Sequence, residues 1–302
     1  MNVATAFRLA VSSLLLVAVI GLVGPGEILG ALGAVSSPRL VLVVLLFICT
    51  LLLSGVNLWI LLQPLGSGIR FTAVIRCSIR GWGAGVFTPG KIGELSTIYL
   101  LIRNGAPAIH ATTVFLADKV ITLLTLVTGA CLGVVLLFGF DDGGLIALLL
   151  AATPITLGLT AVAVWRLVPS RYRRKPEILG TTLVFLWRDH RLALGGNGLL
   201  TLLKWGFTAV AVRVVFEGMG FTTDVIPLTL AVMIIGVLNL IPITLHGLGL
   251  KELAAVPVYG ALGVPAETAV AASLLLTLTA YLTAASLLLA ELLLGLDRAG
   301  NG

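Results

Sequence analysis

The feature that most constrains this chain is a series of long apolar runs that recurs along nearly its whole length. The runs lie near residues 7–23, 40–62, 112–138, 144–168, 194–216, 225–245 and 267–295. A helix needs about 20 apolar residues to cross roughly 30 Å of hydrocarbon. Only 11% of the residues are charged, whereas a soluble domain carries about 25%. The sequence therefore predicts an all-α, polytopic membrane helix bundle that forms one transmembrane domain over residues 1–302, with shorter helices at 71–86 and 92–103.

The basic residues predict how the bundle is oriented. The loop Arg171–Lys175 is the most basic stretch, and cationic loops stay in the cytoplasm. Counting spans from this loop places both termini in the cytoplasm. The cations expected on the same face are Arg8, Arg70, Arg76, Arg80, Lys91, Arg103 and Arg298, and the acidic residues expected on the other face are Glu27, Asp141, Asp142, Asp224 and Glu267. The net charge of +6 is thus expected to meet anionic lipid and is no indication of nucleic acid.

The segment 169–191 combines this basic loop with an amphipathic pattern. Apolar residues at helical spacing between Pro176 and Arg191 lie opposite Arg188 and Asp189. The pattern predicts an interfacial helix on the cytoplasmic surface, and a simple connector is the alternative.

An internal repeat becomes visible when the chain is shifted along itself by 158 positions. The matched pairs are Glu94 with Glu252, Gly105 with Gly263, Pro107 with Pro265 and Ala111 with Ala269. A turn rich in glycine precedes each glutamate, and a long apolar run follows. The copies cover residues 71–138 and 225–295. Three predicted spans, 112–138, 144–168 and 194–216, follow the first glycine turn before the second copy begins, so we expect inverted repeats with broken or re-entrant helices. In transporters of this design the broken helix ends form the substrate site near the bilayer midplane.

Ionisable residues in so apolar a frame are candidates for function. We expect the following residues to contact a substrate: Glu94, Glu252, Lys91, Lys251, Arg76, Arg80, Arg103, Asp118 and Lys119. We expect these to break the helices: Pro89, Gly90, Gly93, Pro242, Gly247 and Gly249. The alternative for the glutamates is capping of a helix N-terminus, and for the arginines it is extension to the membrane surface.

Local spacing refines these candidates. Lys91 and Glu94 are three apart and can share a helix face, and Arg76 and Arg80 are four apart, which suits a bidentate grip on phosphate. Asp118 and Lys119 are adjacent and point in different directions, so each needs a partner elsewhere. Arg213 and Glu217, four apart at the end of a span, predict a structural ion pair.

The sequence offers little for catalysis. It contains no nucleophile paired with a base, no cluster of metal ligands and no phosphate-binding loop. We therefore expect no enzyme, no catalytic residue, no bound metal and no cofactor.

The two motifs, Thr88–Glu94 and Pro242–Glu252, resemble the paired signatures of the lysylphosphatidylglycerol synthase transmembrane family. This is the flippase-like region of the multiple peptide resistance factor, and it also occurs as stand-alone membrane proteins. The matching positions are Pro89, Gly90, Gly93, Glu94, Gly247, Gly249 and Glu252. The family commonly has arginine in the span after each motif, where this chain has Lys119 in the first copy and Leu276 and Thr277 in the second. We expect a stand-alone member without the synthase domain.

The resemblance implies translocation of a lipid with a charged head, such as a phospholipid, aminoacyl-phosphatidylglycerol or a polyprenyl-phosphate-linked lipid. A secondary transporter of a small polar solute and a non-transporting regulator of lipid synthesis are the alternatives. A lipid flippase predicts a cavity open sideways to lipid and lined by both glycine turns. We expect membrane lipid as the substrate and the cell membrane as the location, and we leave open a homodimer and a partner enzyme that synthesises lipid.

Overall fold

The described part of the protein consists of helices joined by short turns. A computed structural model describes residues 3–88, 93–139, 144, 158, 176–240 and 247–293, and within them there is no β-strand. Eleven α-helices lie in these residues: α1 (Val3–Val23), α2 (Pro25–Gly33), α3 (Ser37–Leu62), α4 (Phe71–Val86), α5 (Ser96–Arg103), α6 (Ala108–Phe138), α7 (Pro176–Asp189), α8 (Arg191–Gly218), α9 (Val225–Leu238), α10 (Leu250–Gly260) and α11 (Ala266–Leu293). The all-α prediction is confirmed.

Four of these helices, α3, α6, α8 and α11, are long and apolar enough to cross a membrane, and α1 with α2 makes five if this bent pair counts as one span. Large apolar side chains also face outward, including Leu192 at 93% and Leu22 at 83% exposure. Such surfaces suit acyl chains rather than water. The helix lengths and the exposed apolar side chains therefore agree with a multi-pass membrane protein.

Several helices differ from the apolar runs in where they begin or end. α6 begins at Ala108, before the predicted run 112–138, and α9 ends at Leu238, so the run 225–245 holds a helix of only 14 residues. The sequence missed α2, which turns away from α1 by 86°. The turn is at Gly24, whose φ of 101° suits glycine, and Pro25 then begins the new helix. Apart from residues 144 and 158, the run 144–168 lies outside the described residues, as does the basic loop.

The helix predicted within 169–191 is confirmed as α7, and its place on the membrane surface stays a prediction. Only His190 separates it from α8. Leu186 is 1% exposed, whereas Trp187 is 68% exposed. The end of α7 therefore both packs on the bundle and presents an aromatic ring outward.

The bundle is organised around two helix pairs, α3 with α8 and α6 with α9. The larger apolar core lies among α6, α8, α9, α10 and α11, with Phe216 and Ile234 fully buried. A second core, which includes Leu61 and Ile98, joins α3, α4, α5 and α6. These cores hold α5 beside α6 and α10 beside α11, so each short helix after a glycine turn packs on the span that follows it.

Glycines allow α4 to approach the turn and helix that follow it. A Cβ at Gly81 would overlap Thr97 of α5, and one at Gly93 would overlap the main chain of Ala84. A Cβ at Gly85 would lie 2.6 Å from Cγ of Glu94. The small residues of α4 thus create the space in which Glu94 sits.

We expect Gly81→Ala to destabilise the protein by about 1–3 kcal/mol, because the methyl group forces α4 and α5 apart. Gly206→Ala in α8 is the matched control, since a Cβ there meets no atom within 4 Å. Alanine at that position should be neutral or stabilising by up to about 1 kcal/mol. Thermal unfolding in detergent measures both changes, and equal melting temperatures for the two variants would contradict the close packing of α4 on α5.

Candidate functional site

The first glycine turn presents Glu94 from a short 3₁₀ segment at residues 93–95, between α4 and α5. Thr88 holds this segment in place. Its hydroxyl donates to the Ala84 carbonyl at 2.9 Å and accepts a hydrogen bond from the Gly93 N–H at 2.7 Å. Thr88 thereby ties the end of α4 to the 3₁₀ segment that carries Glu94.

Glu94 forms an ion pair with Lys119 of α6. The Lys119 Nζ lies 2.6 Å from Oε2 of Glu94, and the two side chains are 31% and 17% exposed. The ammonium group also lies 5.1 Å from the centre of the Phe115 ring. A short pair with little exposure is stronger than a surface ion pair, because water screens it less. Lys119 is therefore an ion-pair partner of Glu94. This gives Lys119 the partner that the sequence led us to expect.

The second glycine turn presents Glu252, which is completely buried. Its Oε2 accepts a hydrogen bond of 2.6 Å from the N–H of Gly249, and its Oε1 accepts weaker ones from the hydroxyls of Ser273 and Thr277 at 3.4 and 3.3 Å. Gly247 and Gly249 have φ values of 75° and 83°, which suit glycine. Glu252 thus caps the N-terminus of α10, the role foreseen as the alternative for the glutamates, and also contacts α11.

The internal repeat extends to the partners of the two glutamates. Lys119 lies 25 positions after Glu94, and Thr277 lies 25 positions after Glu252. The shift of 158 positions therefore maps one partner onto the other. The two copies make the same long-range contact with different chemistry, an ion pair in one and hydroxyl groups in the other. The inverted orientation of the copies stays a prediction.

The two copies also contact each other. The ring of Phe87, at the end of α4, lies 5.7 Å from that of Tyr281 in α11. Tyr281 follows Thr277 by one helical turn and interacts electrostatically with Glu252. A Cβ at Gly83 would lie 3.1 Å from Leu288 of the same helix. α11, which carries the hydroxyl groups that contact Glu252, therefore lies against α4.

The short helices after the turns are too short to span a membrane. α5 has eight residues and α10 has eleven, which correspond to lengths of about 12 and 17 Å. Both lengths are well below the roughly 30 Å of a hydrocarbon core. This agrees with re-entrant hairpins, which remain a prediction.

The predicted arginines lie on or beside the hairpin of the first copy. Arg76 and Arg103 are exposed and Arg80 is half-buried. Arg103 lies over the Tyr99 ring, 5.8 Å from its centre. The neighbouring Asn104 donates to Sγ of Cys77 in α4 at 3.6 Å, so the end of α5 lies beside the middle of α4, where Arg76 is.

The remaining candidates are Lys251, Asp118 and four residues that lie outside the described part of the chain. These four are Pro89, Gly90, Lys91 and Pro242. Lys251 is half-buried, and its Cγ is 3.3 Å from where a Cβ of Gly247 would be. Asp118 accepts a hydrogen bond of 3.1 Å from Nδ2 of Asn197. The expectation that Asp118 and Lys119 each have a partner elsewhere is confirmed, since Asp118 contacts Asn197 and Lys119 contacts Glu94.

The candidates predicted from the sequence did not include Ser273, Thr277, Asn57 and Asn197, which are polar residues of this region. Thr277 had a usable signal, since shifting Lys119 by the repeat offset leads to it. The two asparagines had none, because single polar residues in apolar runs do not reveal which helices will meet. By contrast, the predicted ion pair of Arg213 and Glu217 is confirmed, with 2.7 Å between Nε and Oε1.

The sequence profile of the family described as the lysylphosphatidylglycerol synthase TM region matches residues 5–287, which include both glutamates and their partners. The chain belongs to this family. No curated protein matches it significantly. The membership in the lysylphosphatidylglycerol synthase TM family confirms the resemblance of the two motifs and agrees with a membrane function related to lipid.

Replacing Glu252 with alanine should lower the free energy of unfolding by about 1–3 kcal/mol, because the Gly249 N–H and two hydroxyls lose their buried acceptor. Glu267→Ala is the control, since Glu267 also lies in the first turn of a helix. Its loss should stay below about 1 kcal/mol, the usual contribution of a helix-dipole interaction. Thermal unfolding in detergent measures both changes. Similar decreases in the free energy of unfolding for the two variants would contradict a stabilising role of the buried Glu252 carboxylate.

Proposed function

We propose that the protein is a lipid flippase-like transporter that moves a polar or anionic-headed lipid across the bilayer. The observation that carries this proposal is the Glu94–Lys119 ion pair. It lies where a glycine turn interrupts helical structure in an otherwise apolar bundle, and it retains partial exposure. Placing charged side chains in an apolar helix bundle costs free energy, so their presence indicates a function that requires them.

The ion pair suits exchange with a charged head group. Lys119 donates to Glu94 now, and the phosphate of an arriving lipid can take the place of that carboxylate. An ammonium group binds phosphate strongly when little water is present. Glu94 then becomes available for a cationic group, such as the amine of an aminoacylated head. The ion pair thus provides a cation for the phosphate and an anion for the amine of the head group. After the lipid is released, Lys119 and Glu94 pair again.

Two open and largely apolar cavities on the bundle supply surfaces for acyl chains. One of about 440 Å³ lies among α6, α7 and α8 and is lined by Ile121, Trp187, Arg191, Leu194 and Gly195. The other, of about 300 Å³, lies between α1 and α10 and is lined only by apolar residues, among them Leu253 and Pro257. Neither is lined by the described glycine residues of the turns. The second cavity nevertheless borders α10 directly after Glu252, and its open, apolar lining suits an acyl chain.

The positions of the basic residues set the direction of entry. Head groups enter from the cytoplasmic side past Arg76, Arg80 and Arg103. The protein lies in the cell membrane with both termini in the cytoplasm. The protein carries its substrate without chemical conversion. A second copy of the chain and a lipid-synthesising enzyme are compatible partners.

The test is lipid translocation in proteoliposomes that contain fluorescent phosphatidylglycerol and a membrane-impermeant quencher outside. Lys119→Met and Glu94→Gln should lower the rate roughly tenfold or more, since a hydrogen bond to a charged group contributes about 1.5–3 kcal/mol. Lys119→Arg keeps the charge and should keep most of the activity.

The control is the ion pair of Arg213 and Glu217, which has a comparable contact distance of 2.7 Å but lies at the end of α8. Glu217→Gln should translocate lipid at the wild-type rate. Equal rates for wild type and a folded Lys119→Met variant would refute the assignment of the ion pair to transport.

A further inference from the structure

A second polar cluster lies inside the bundle, where α3, α6 and α8 meet. It contains Asn57 of α3, Asp118 of α6, and Asn197 and Thr201 of α8. Asn57, Asn197 and Thr201 have no exposed surface, and Asp118 is 6% exposed. So many polar side chains in the apolar interior of a membrane protein require partners.

Hydrogen bonds determine how the amide group of Asn197 is oriented. Nδ2 of Asn197 donates to Oδ1 of Asp118 at 3.1 Å and to the main-chain carbonyl of Asn57 at 3.3 Å. The reverse orientation would turn the amide oxygen toward a carboxylate and a carbonyl, neither of which has a proton to donate. Nδ2 of Asn57 donates to the hydroxyl oxygen of Thr201 at 3.0 Å.

Both amide oxygens are left without a donor. Oδ1 of Asn57 and Oδ1 of Asn197 are buried and accept no hydrogen bond, and Oγ1 of Thr122, one turn after Asp118 on α6, has no partner either. A buried acceptor without a partner is costly, and it points to a group that completes the site. The two amide oxygens of the cluster share this need.

The cluster also carries the negative charge of Asp118, which has only a distant positive charge beside it. Oδ2 of Asp118 lies 4.0 Å from Nζ of Lys119, at the limit of an ion pair. Lys119 makes its short contact of 2.6 Å with Glu94 instead. Asp118 and Glu94 therefore share this ammonium group, and Asp118 has the weaker part of it.

We propose that Asp118, Asn57 and Asn197 form a binding site for a sodium ion. A hard cation takes carboxylate and amide oxygens as ligands. The cluster offers both kinds, and its two amide oxygens accept no hydrogen bond. A single carboxylate matches a single positive charge. A water molecule can donate to the amide oxygens, but it leaves the charge of Asp118 as it is, whereas a sodium ion satisfies both needs.

The position of the site suggests what the ion does. Asp118 and Lys119 are consecutive, so a sodium ion at Asp118 weakens the hold of that carboxylate on Lys119 and strengthens the pair of Lys119 with Glu94. A sodium gradient then biases the ion pair that we assign to the head group. This second step rests on the proposed function, whereas the binding of sodium does not.

The test is thermal unfolding of the full chain in detergent, in sodium chloride and in choline chloride at equal concentration. Wild type should melt about 3 °C higher at a sodium concentration ten times the dissociation constant. Asp118→Asn should remove this difference. Glu217→Gln removes a carboxylate from the other ion pair and should keep the difference.

A second measurement covers the case in which Asp118→Asn does not fold. Radioactive sodium should bind to the wild-type protein in detergent and be displaced by unlabelled sodium but not by choline. Equal melting in both salts, a sodium effect that persists in Asp118→Asn, or no displaceable radioactivity would overturn the proposal. Neither experiment involves lipid transport, so a failure here is distinguishable from a failure of the proposed function.

Discussion

A charged side chain inside a membrane must find its partner within the protein, and this constraint organises the described structure. Hydrocarbon offers neither counter-charge nor hydrogen bonds. Glu94 meets this need with Lys119, and Glu252 meets it with the Gly249 N–H and two hydroxyls. Each solution joins the turn after one helix to the middle of the next span. The polar contacts thereby hold the short helices α5 and α10 in place, and the apolar cores pack around that arrangement.

The two copies of the repeat use one framework for different purposes. In the first copy the carboxylate meets a charged partner and retains some exposure, which suits the exchange that we propose. In the second the carboxylate is fully buried and caps its own helix, so its contact is suited to permanence. The ring contact of Phe87 with Tyr281 connects the two copies.

Much of this architecture could be predicted because the bilayer limits what an apolar run can become. The runs at 40–62, 194–216 and 267–295 became α3, α8 and α11 with small changes at their ends. The repeat located both glutamates, but no local spacing indicated the ion pair of Glu94 with Lys119. Lys91, which local spacing places on the same face as Glu94, lies outside the described residues. Partners 25 positions apart depend on how the chain turns back, and helical spacing does not describe that. The same holds for Asn57 and Asn197, which meet only because α3 packs along α8.

The central claim is that the two hairpins enter the membrane from opposite faces, and cysteine labelling in cells tests it most directly. Asn104 and Ala261 are exposed residues at the ends of α5 and α10. Each is replaced by cysteine in a variant without Cys49, Cys77 and Cys131, the cysteines of the chain. The account predicts that a membrane-impermeant maleimide labels Ala261→Cys in intact cells, and labels Asn104→Cys only after permeabilisation. Labelling of both positions from the same side would contradict it.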